Sequence, residues 1–467
     1  MLTHFPRYFS TRAIICYMVT LVLVSSIFIN FALPFQFALF GIIPILVFFV
    51  YSNKLTMNWY KFAERIFTRK LFVTALIIRL VYVVFIYYYF IEATGAPFAF
   101  GVGDETFYQE TGTWLREYGI KRFTELLNLY TVFSDRGYPW WLAIEYAIMG
   151  PHVLTARLVK CVIDAFSCVL MYNLAKRNFG EPAGRMTGIF CMLMPNMWYY
   201  CGLTLKETEM VFLTILFADR ADCALRAKKI TFQNIILPGL IVLAMFTFRT
   251  ALAAVMAAAL VGALILSSGK QMQIWKKILY SSVFAVWMIM TVGAEMIEET
   301  QQLWEDKEKN QEMGYAWRAG QENGNTFAQY ATATVFAPLI FTIPFSSMVA
   351  TPNQENVMMM NGANFIKNIL SGFVIYVLIT LLVSGKWRQH VLPIALTCGY
   401  LVVLVFSNFA HSERFHFPVL AFELMFAAYG VTLMTNKHKR WFRIWLFFVG
   451  VANIIWCWIK LAGRGMI

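Results

Sequence analysis

The chain has 467 residues, of which 59% are hydrophobic and only 14% are charged. Because a soluble domain carries about a quarter charged residues, this composition excludes an ordinary soluble protein and predicts a polytopic membrane protein. The net charge of +13 is typical of lysine and arginine held on the cytoplasmic side of a membrane, and no basic stripe indicates nucleic-acid binding.

The first predicted elements are two membrane spans, at about 13–31 and 33–51, that form a hairpin. Two arginines precede the first span and no small-residue cleavage site follows it, which predicts an uncleaved anchor with a cytoplasmic N-terminus. The loop 52–70 carries five lysines and arginines and is therefore predicted to be cytoplasmic. The third span, about 71–93, then ends outside the cytoplasm.

The apolar stretch "YPWWLAIEYAIMG", 138–150, is too short to cross a bilayer. If it crossed, the later clusters of lysine and arginine would face outward, against the charge rule. We predict a helix on the outer surface, with Trp140 and Trp141 at the level of the lipid headgroups. For the same reason the stretch "FAPLIFTIPFSS", 336–347, which two prolines interrupt, is predicted to be a surface or re-entrant segment.

The remaining apolar runs complete an all-α polytopic membrane protein of about 13 transmembrane helices, with amphipathic surface helices in two extracytoplasmic loops. Those spans are predicted near 153–175, 184–201, 207–225, 232–249, 250–268, 276–294, 365–384, 391–408, 416–435 and 441–461. The predicted parts are the hairpin with its cytoplasmic loop (1–70), a transmembrane core that includes the first outer loop at 94–152 (71–294), a second outer loop (295–364) and a C-terminal bundle (365–467).

This threading brings several charged residues to the outer surface, and ionisable groups at the edge of the hydrocarbon are candidates for function. They are Asp104, Glu105, Lys206, Glu207, Arg249, His411, Glu413 and Arg414. Each group also fits a structural role. The carboxylates fit helix caps, solvated loop charges or a local ion pair, and the arginines fit headgroup anchors.

Two further charged residues fall inside predicted spans. Arg79 lies about 12 Å into the third span by helical rise, and Asp164 lies near the middle of the fourth. We predict that they pair with each other and hold these two spans together, a structural role.

Four stretches resemble the glycosyltransferase-C superfamily, most closely the bacterial branch that contains the lipid A aminoarabinose transferase and the protein O-mannosyltransferases. They are "DETFYQETGTWLREYG", "RGYPWWLAIEYAIMG", "RLVKCVIDAFSCVLMYNLAKRNFGEPAGRMTGIFCMLMPNMWYYCGLTLKE" and "ERFHFPVLAF". The likeness covers about 71–270 well and 390–435 loosely. The chain departs from many relatives in its single Pro139, in Lys206 and Glu207 where they have an aspartate, and in its two N-terminal spans.

The resemblance implies transfer of a sugar from a polyprenyl-phosphate donor to a glycan, lipid or protein acceptor at the outer face of a bacterial inner membrane. It implies an inverting single displacement with Asp104 as base and Glu105 positioning acceptor or sugar. One base is enough, because a phosphate leaves without a general acid. The residues expected to bind substrate are Lys206, Glu207, Arg249, Arg414, Tyr108 and His411. No metal or other cofactor is expected to be required. Glu105 and His411 could bind a divalent ion, but one carboxylate and one histidine are few ligands for such a site.

Three alternatives stay open at this stage. A transporter or flippase of a lipid-linked glycan needs charges near the midplane and broken spans in paired halves, and no repeat is visible. A scaffold of a glycan-assembly complex would have a decayed site. A polysaccharide polymerase or ligase of similar topology would use a long glycan donor.

Overall fold

The computed structural model describes residues 2–101, 103–118, 135–227, 232–266, 324–328, 337–407 and 410–467, together with isolated positions between 282 and 301. These described residues are helical and include no β-strand, which confirms the predicted all-α class. The α-helices, in chain order, are α1 (Arg7–Ile27), α2 (Phe35–Trp59), α3 (Glu64–Thr94), α4 (Gly103–Tyr118), α5 (Gly137–Met149), α6 (Val153–Phe179), α7 (Glu181–Leu193), α8 (Pro195–Cys201), α9 (Glu207–Arg226), α10 (Phe232–Phe246), α11 (Thr250–Leu266), α12 (Glu355–Met359), α13 (Asn361–Val383), α14 (Val391–Phe406), α15 (Glu413–Leu433) and α16 (His438–Ala462).

The chain is a multi-pass membrane protein. Within the described ranges, six helices are long and apolar enough to cross a membrane, namely α1, α2, α3, α13, α15 and α16. Shorter apolar helices are Ile236–Phe246, α11 and α14. Helices also occupy the other predicted spans, except that most of 276–294 lies outside the described residues. The total of thirteen spans therefore stays a prediction.

The stretch that was predicted to be a surface helix is helical, as α5, and packs on α4. At 13 residues it is roughly 20 Å long, which is shorter than the ~30 Å hydrocarbon core of a bilayer. Trp140 and Trp141 are exposed, whereas Leu142 and Tyr146 are buried. The two helices approach closely because Gly112 of α4 has no side chain, and a Cβ there would lie 2.9 Å from that of Leu142. Together α4 and α5 make a small helical layer.

The predicted span 184–201 is divided into α7 and α8 by a break at Met194. Proline at the first position of α8 has no N–H and cannot continue the hydrogen-bond ladder of α7. The carbonyl groups near the end of α7 are therefore left to other donors. Met192 accepts a hydrogen bond from the Trp198 indole at 2.8 Å.

The expected ion pair between α3 and α6 lies next to this break. The Arg79 Nε donates to Asp164, and the two side chains are 0% and 1% exposed. The Nη1 and Nη2 groups of Arg79 donate to the carbonyl oxygens of Met192 and Cys191, each at 3.3 Å. Protein groups thus replace water around this guanidinium, and the pair joins three helices.

The N-terminal hairpin and the described residues before α13 both pack against the C-terminal helices. The Tyr17 hydroxyl of α1 donates to Asn361 Oδ1 of α13 at 2.7 Å. Residues 342–349 are buried, and the Ser346 backbone N–H donates to Asn453 Oδ1 of α16 at 2.6 Å. Residues 342–347 of the stretch that two prolines interrupt therefore pack inside the helical bundle, and its predicted re-entrant path through a membrane stays a prediction.

Candidate functional site

Four of the predicted site residues meet at adjacent helix ends. Arg414, in the first turn of α15, donates through Nη1 to Asp104 Oδ2 of α4 at 2.5 Å. Its Nε donates to Glu207, the first residue of α9. Arg249, between α10 and α11, places Nη2 3.7 Å from Glu207 Oε1. The fold thus joins positions that lie as much as 310 residues apart in the chain.

Exposure changes across this cluster from one side to the other. The Asp104 side chain is 54% exposed, that of Arg414 is 23% exposed, that of Arg249 is 12% exposed and that of Glu207 is 0% exposed. The cluster therefore opens to solvent at Asp104 and is closed at Glu207. A substrate entering from solvent would meet the carboxylate of Asp104 and the guanidinium of Arg414.

Arg249 is held in place by an aromatic environment. Its Nη1 donates to the Tyr400 hydroxyl of α14 at 3.2 Å, and its guanidinium lies 4.4 Å from the centre of the Phe415 ring. A guanidinium over an aromatic face gains cation–π attraction without losing its in-plane donors. These contacts fix the orientation of the donors of Arg249 beside those of Arg414.

Lys206 and Tyr108 both contact Asp135, a residue that the sequence analysis did not single out. Lys206 Nζ donates to Asp135 Oδ1 and, at 2.6 Å, to the Phe248 carbonyl, while the Tyr108 hydroxyl lies 3.1 Å from Asp135. Burial lowers the pKa of Lys206, and the Asp135 carboxylate opposes that shift. Lys206 therefore links the start of α5 to the turn that carries Arg249.

Glu105, which was expected to position the acceptor or sugar, does not share the open cluster with Asp104. Successive helical residues point about 100° apart, and the Glu105 side chain is turned inward and fully buried. It accepts hydrogen bonds from the backbone N–H of Ala99 at 2.7 Å and from that of Thr204, and it pairs with Arg157 at 3.3 Å. These contacts attach α4 to α6 and to the loop before α9.

His411 lies in the turn before α15, where its ring stacks on Trp456 of α16 at a centroid distance of 4.9 Å. Over the ranges that the structure describes, no group of three or more histidine, cysteine, aspartate or glutamate residues is placed to hold a metal ion.

Residues 137–294 match the family model of the dolichyl-phosphate-mannose-protein mannosyltransferases. The resemblance to glycosyltransferase-C proteins is therefore confirmed over this part of the chain. The matched region begins at α5 and contains Lys206, Glu207 and Arg249. Comparison with curated proteins and with solved structures finds no match.

The region that matches the mannosyltransferase model also contains a second charged cluster that the sequence analysis missed. Lys160 of α6 lies 3.4 Å from Glu209 of α9, and Glu145 of α5 accepts a hydrogen bond from Trp141 Nε1 at 2.7 Å. Burial, reinforced by the Glu209 charge, raises the pKa of Glu145 to about 8. The available signal was the pair of basic residues Arg157 and Lys160, one helical turn apart inside a predicted span.

Proposed function

We propose that this protein is a membrane glycosyltransferase that moves a sugar from a polyprenyl-phosphate-linked donor to an acceptor outside the cytoplasm. The observation that carries the proposal is the half-exposed Asp104 carboxylate held 2.5 Å from Arg414, with Arg249 on the other side of Glu207. The match over residues 137–294 supports a glycosyltransferase with a lipid-linked donor. The predicted threading puts these helix ends on the outer face.

The proposed reaction is a single displacement. An acceptor hydroxyl or amine gives its proton to Asp104 while its lone pair forms a bond to the anomeric carbon of the sugar. The bond between that carbon and the phosphate oxygen breaks, and its electron pair stays on the phosphate. Attack opposite the leaving group inverts the anomeric centre. A phosphate needs no protonation to leave, so one carboxylate is sufficient.

Arg414 and Arg249 are the proposed ligands of the phosphate. A guanidinium offers paired donors that match two phosphate oxygens, and its attraction grows as negative charge develops on them. Lys206 and Tyr108 have a positioning role in this proposal, because their described contacts include Asp135. Glu105 holds α4 in place and contacts no substrate.

The donor and acceptor approach from different directions in this scheme. The apolar tail of the donor lies among the membrane-spanning helices, with its phosphate at the helix ends beside Arg249. The acceptor, which is a glycan, a lipid or a protein, reaches Asp104 from the aqueous side. We assign the protein to a bacterial inner membrane, as the resemblance of its sequence to the bacterial branch of the glycosyltransferase-C superfamily implies.

Two measurements test the proposal. Mass spectrometry of lipid extracted with the purified protein should detect a polyprenyl-phosphate sugar, which then serves as labelled donor in a transfer assay. Asp104→Asn should lower turnover about 10³-fold with donor binding retained. Glu110→Gln, an exposed carboxyl on the same helix, is the matched control and should leave turnover unchanged.

Other outcomes would overturn the proposal. Wild-type turnover in Asp104→Asn would remove the assigned base. Donor binding without transfer in either protein would indicate a scaffold. Translocation of the lipid-linked sugar across vesicles, unaffected by Asp104→Asn, would indicate a flippase.

A further inference from the structure

Arg414 is shared between two carboxylates that differ in exposure. Its Nη1 contacts Asp104 Oδ2 at 2.5 Å, and its Nε contacts Glu207. Arginine has five N–H donors in a planar fork, so one guanidinium can serve two partners in different directions. The two carboxylates belong to α4 and α9, and Arg414 therefore connects the layer formed by α4 and α5 to α9.

Glu207 is the fixed partner of this guanidinium. Its side chain is 0% exposed, and its Oε1 atom faces both Arg414 and Arg249. Without this carboxylate, two adjacent guanidinium groups would repel each other and separate. A fully buried carboxylate has no access to a substrate, so Glu207 acts through the two arginines as a positioning residue rather than as the substrate ligand expected from the sequence.

Asp104 is the exchangeable partner. Its side chain is 54% exposed, so water can replace the guanidinium around it at small cost. In the proposed reaction this carboxylate takes up a proton and loses its charge. A neutral carboxyl attracts a guanidinium far less than a carboxylate does. Proton transfer therefore weakens the contact on one side of Arg414 and leaves the contact with Glu207 intact.

The phosphate becomes more negatively charged in the same step in which Asp104 loses its negative charge. The donor is a phosphodiester with one negative charge, and the released polyprenyl phosphate is a monoester that carries between one and a half and two negative charges at neutral pH, by analogy with other phosphomonoesters. The total charge is conserved, because the proton that leaves the acceptor neutralises Asp104. An extra charge thus appears on the phosphate as the charge on Asp104 disappears.

We propose that Arg414 exchanges partners during transfer, from the Asp104 carboxylate to the departing phosphate, while Glu207 holds its Nε throughout. This inference rests on the proposed function. It makes one guanidinium responsible for orienting the base before the step and for binding the leaving group after it. Arg249, held by Tyr400 and Glu207, stays with the phosphate during the exchange.

A double-mutant cycle on binding tests the exchange without any need for turnover. The probe is farnesyl phosphate, a short polyprenyl monoester, titrated by calorimetry into the full-length protein in detergent. Asp104→Asn imitates the neutral carboxyl and should tighten binding about tenfold. In an Arg414→Ala background the same change should tighten binding no more than about twofold, because only simple charge repulsion is relieved.

Four controls define the result, two of them protein variants and two of them probes. Glu110→Gln should leave affinity unchanged in both backgrounds, and farnesol and inorganic phosphate separate the contributions of the tail and the headgroup. Glu207→Gln should weaken binding of the probe and also reduce the gain from Asp104→Asn, with the folded state checked by thermal unfolding.

The proposed exchange is overturned if Asp104→Asn increases the affinity for farnesyl phosphate equally in the wild-type and Arg414→Ala backgrounds, or if farnesyl phosphate does not bind. Transfer activity is assayed separately. If sugar transfer persists and the coupling is absent, the exchange fails while the proposed function stands.

Discussion

Two arginine–carboxylate pairs in this protein have the same chemistry and opposite surroundings. Arg79 and Asp164 lie in the middle of α3 and α6 with almost no exposure, and backbone carbonyls and the Cys168 sulfur accept hydrogen bonds from the remaining arginine donors. Arg414 and Asp104 lie at helix ends, and the carboxylate is half open to solvent. The comparison indicates that a pair surrounded by protein groups stabilises helix packing, whereas a pair with one open side can be reached from solvent, as the proposed function requires.

The largest effect is expected at the enclosed pair. Arg79→Ala leaves the Asp164 carboxylate buried without its partner, which costs about 3–5 kcal/mol and is a large fraction of the stability of a folded protein. We expect little monodisperse protein by size-exclusion chromatography after detergent extraction. The double change Arg79→Met with Asp164→Leu should recover folded protein. Arg79→Ala with a wild-type melting temperature would break the comparison.

The open pair should show the reverse pattern, in which function is lost and the fold is kept. Arg414→Lys retains the charge but replaces the planar fork by a single ammonium group, which cannot contact Asp104 and Glu207 in the same way. We expect kcat/KM for sugar transfer to fall about 100-fold with an unchanged melting temperature. Arg116→Lys, on the exposed face of α4, is the matched control. An equal loss in both variants would remove the special role of Arg414.

The position of the open pair depends on how α5 packs against the turn that carries Arg249, and a substitution at Gly137 tests this dependence. A Cβ there would lie 2.4 Å from Thr247 Oγ1 and 2.6 Å from the Phe248 ring, so Gly137→Ala pushes α5 away from the turn that carries Arg249. We expect a destabilisation of about 1–3 kcal/mol and a roughly tenfold lower turnover. Gly262→Ala, where an added Cβ inside α11 meets nothing within 4 Å, should lower neither the melting temperature nor turnover.

The smallest effect concerns Glu145, a buried carboxyl whose described contacts include no arginine. Burial and the Glu209 charge raise its pKa from 4.5 to about 8, against the opposing effects of Lys160 and Trp141. The folded protein therefore binds more protons than the unfolded chain between these values, and stability should fall as pH rises through that window. Glu145→Gln should flatten the curve of melting temperature against pH. An unchanged slope in this variant would contradict the assignment.

The helices were predictable from the sequence because a long apolar run in a membrane must form a helix, in which the backbone N–H and C=O groups bond to one another. The sequence also predicted that Arg79 meets Asp164, because a charge inside a span requires a partner. The orientation of Glu105 was not predictable in this way. Whether a residue at the start of α4 faces solvent or the bundle depends on how α4 packs on α5 and α6, which are distant in sequence.

Asp135 and Lys160 were missed for a related reason. Asp135 accepts a hydrogen bond from the Lys206 side chain, and Lys160 donates to a backbone carbonyl of the loop before α9. Tertiary packing sets the positions of both partners. The break within the predicted span 184–201 was also missed, since the run is apolar on both sides of Pro195. The ninth predicted span, 276–294, lies mostly outside the described residues and stays a prediction.

The break at Pro195 has a consequence for how this sequence can evolve. In an unbroken helix the residue at this position would donate its N–H to the Cys191 carbonyl, the group that accepts a hydrogen bond from Arg79. An alanine at position 195 would restore the ladder and draw that oxygen away from the guanidinium. Proline and arginine, separated by more than a hundred residues, are therefore expected to be inherited or lost together.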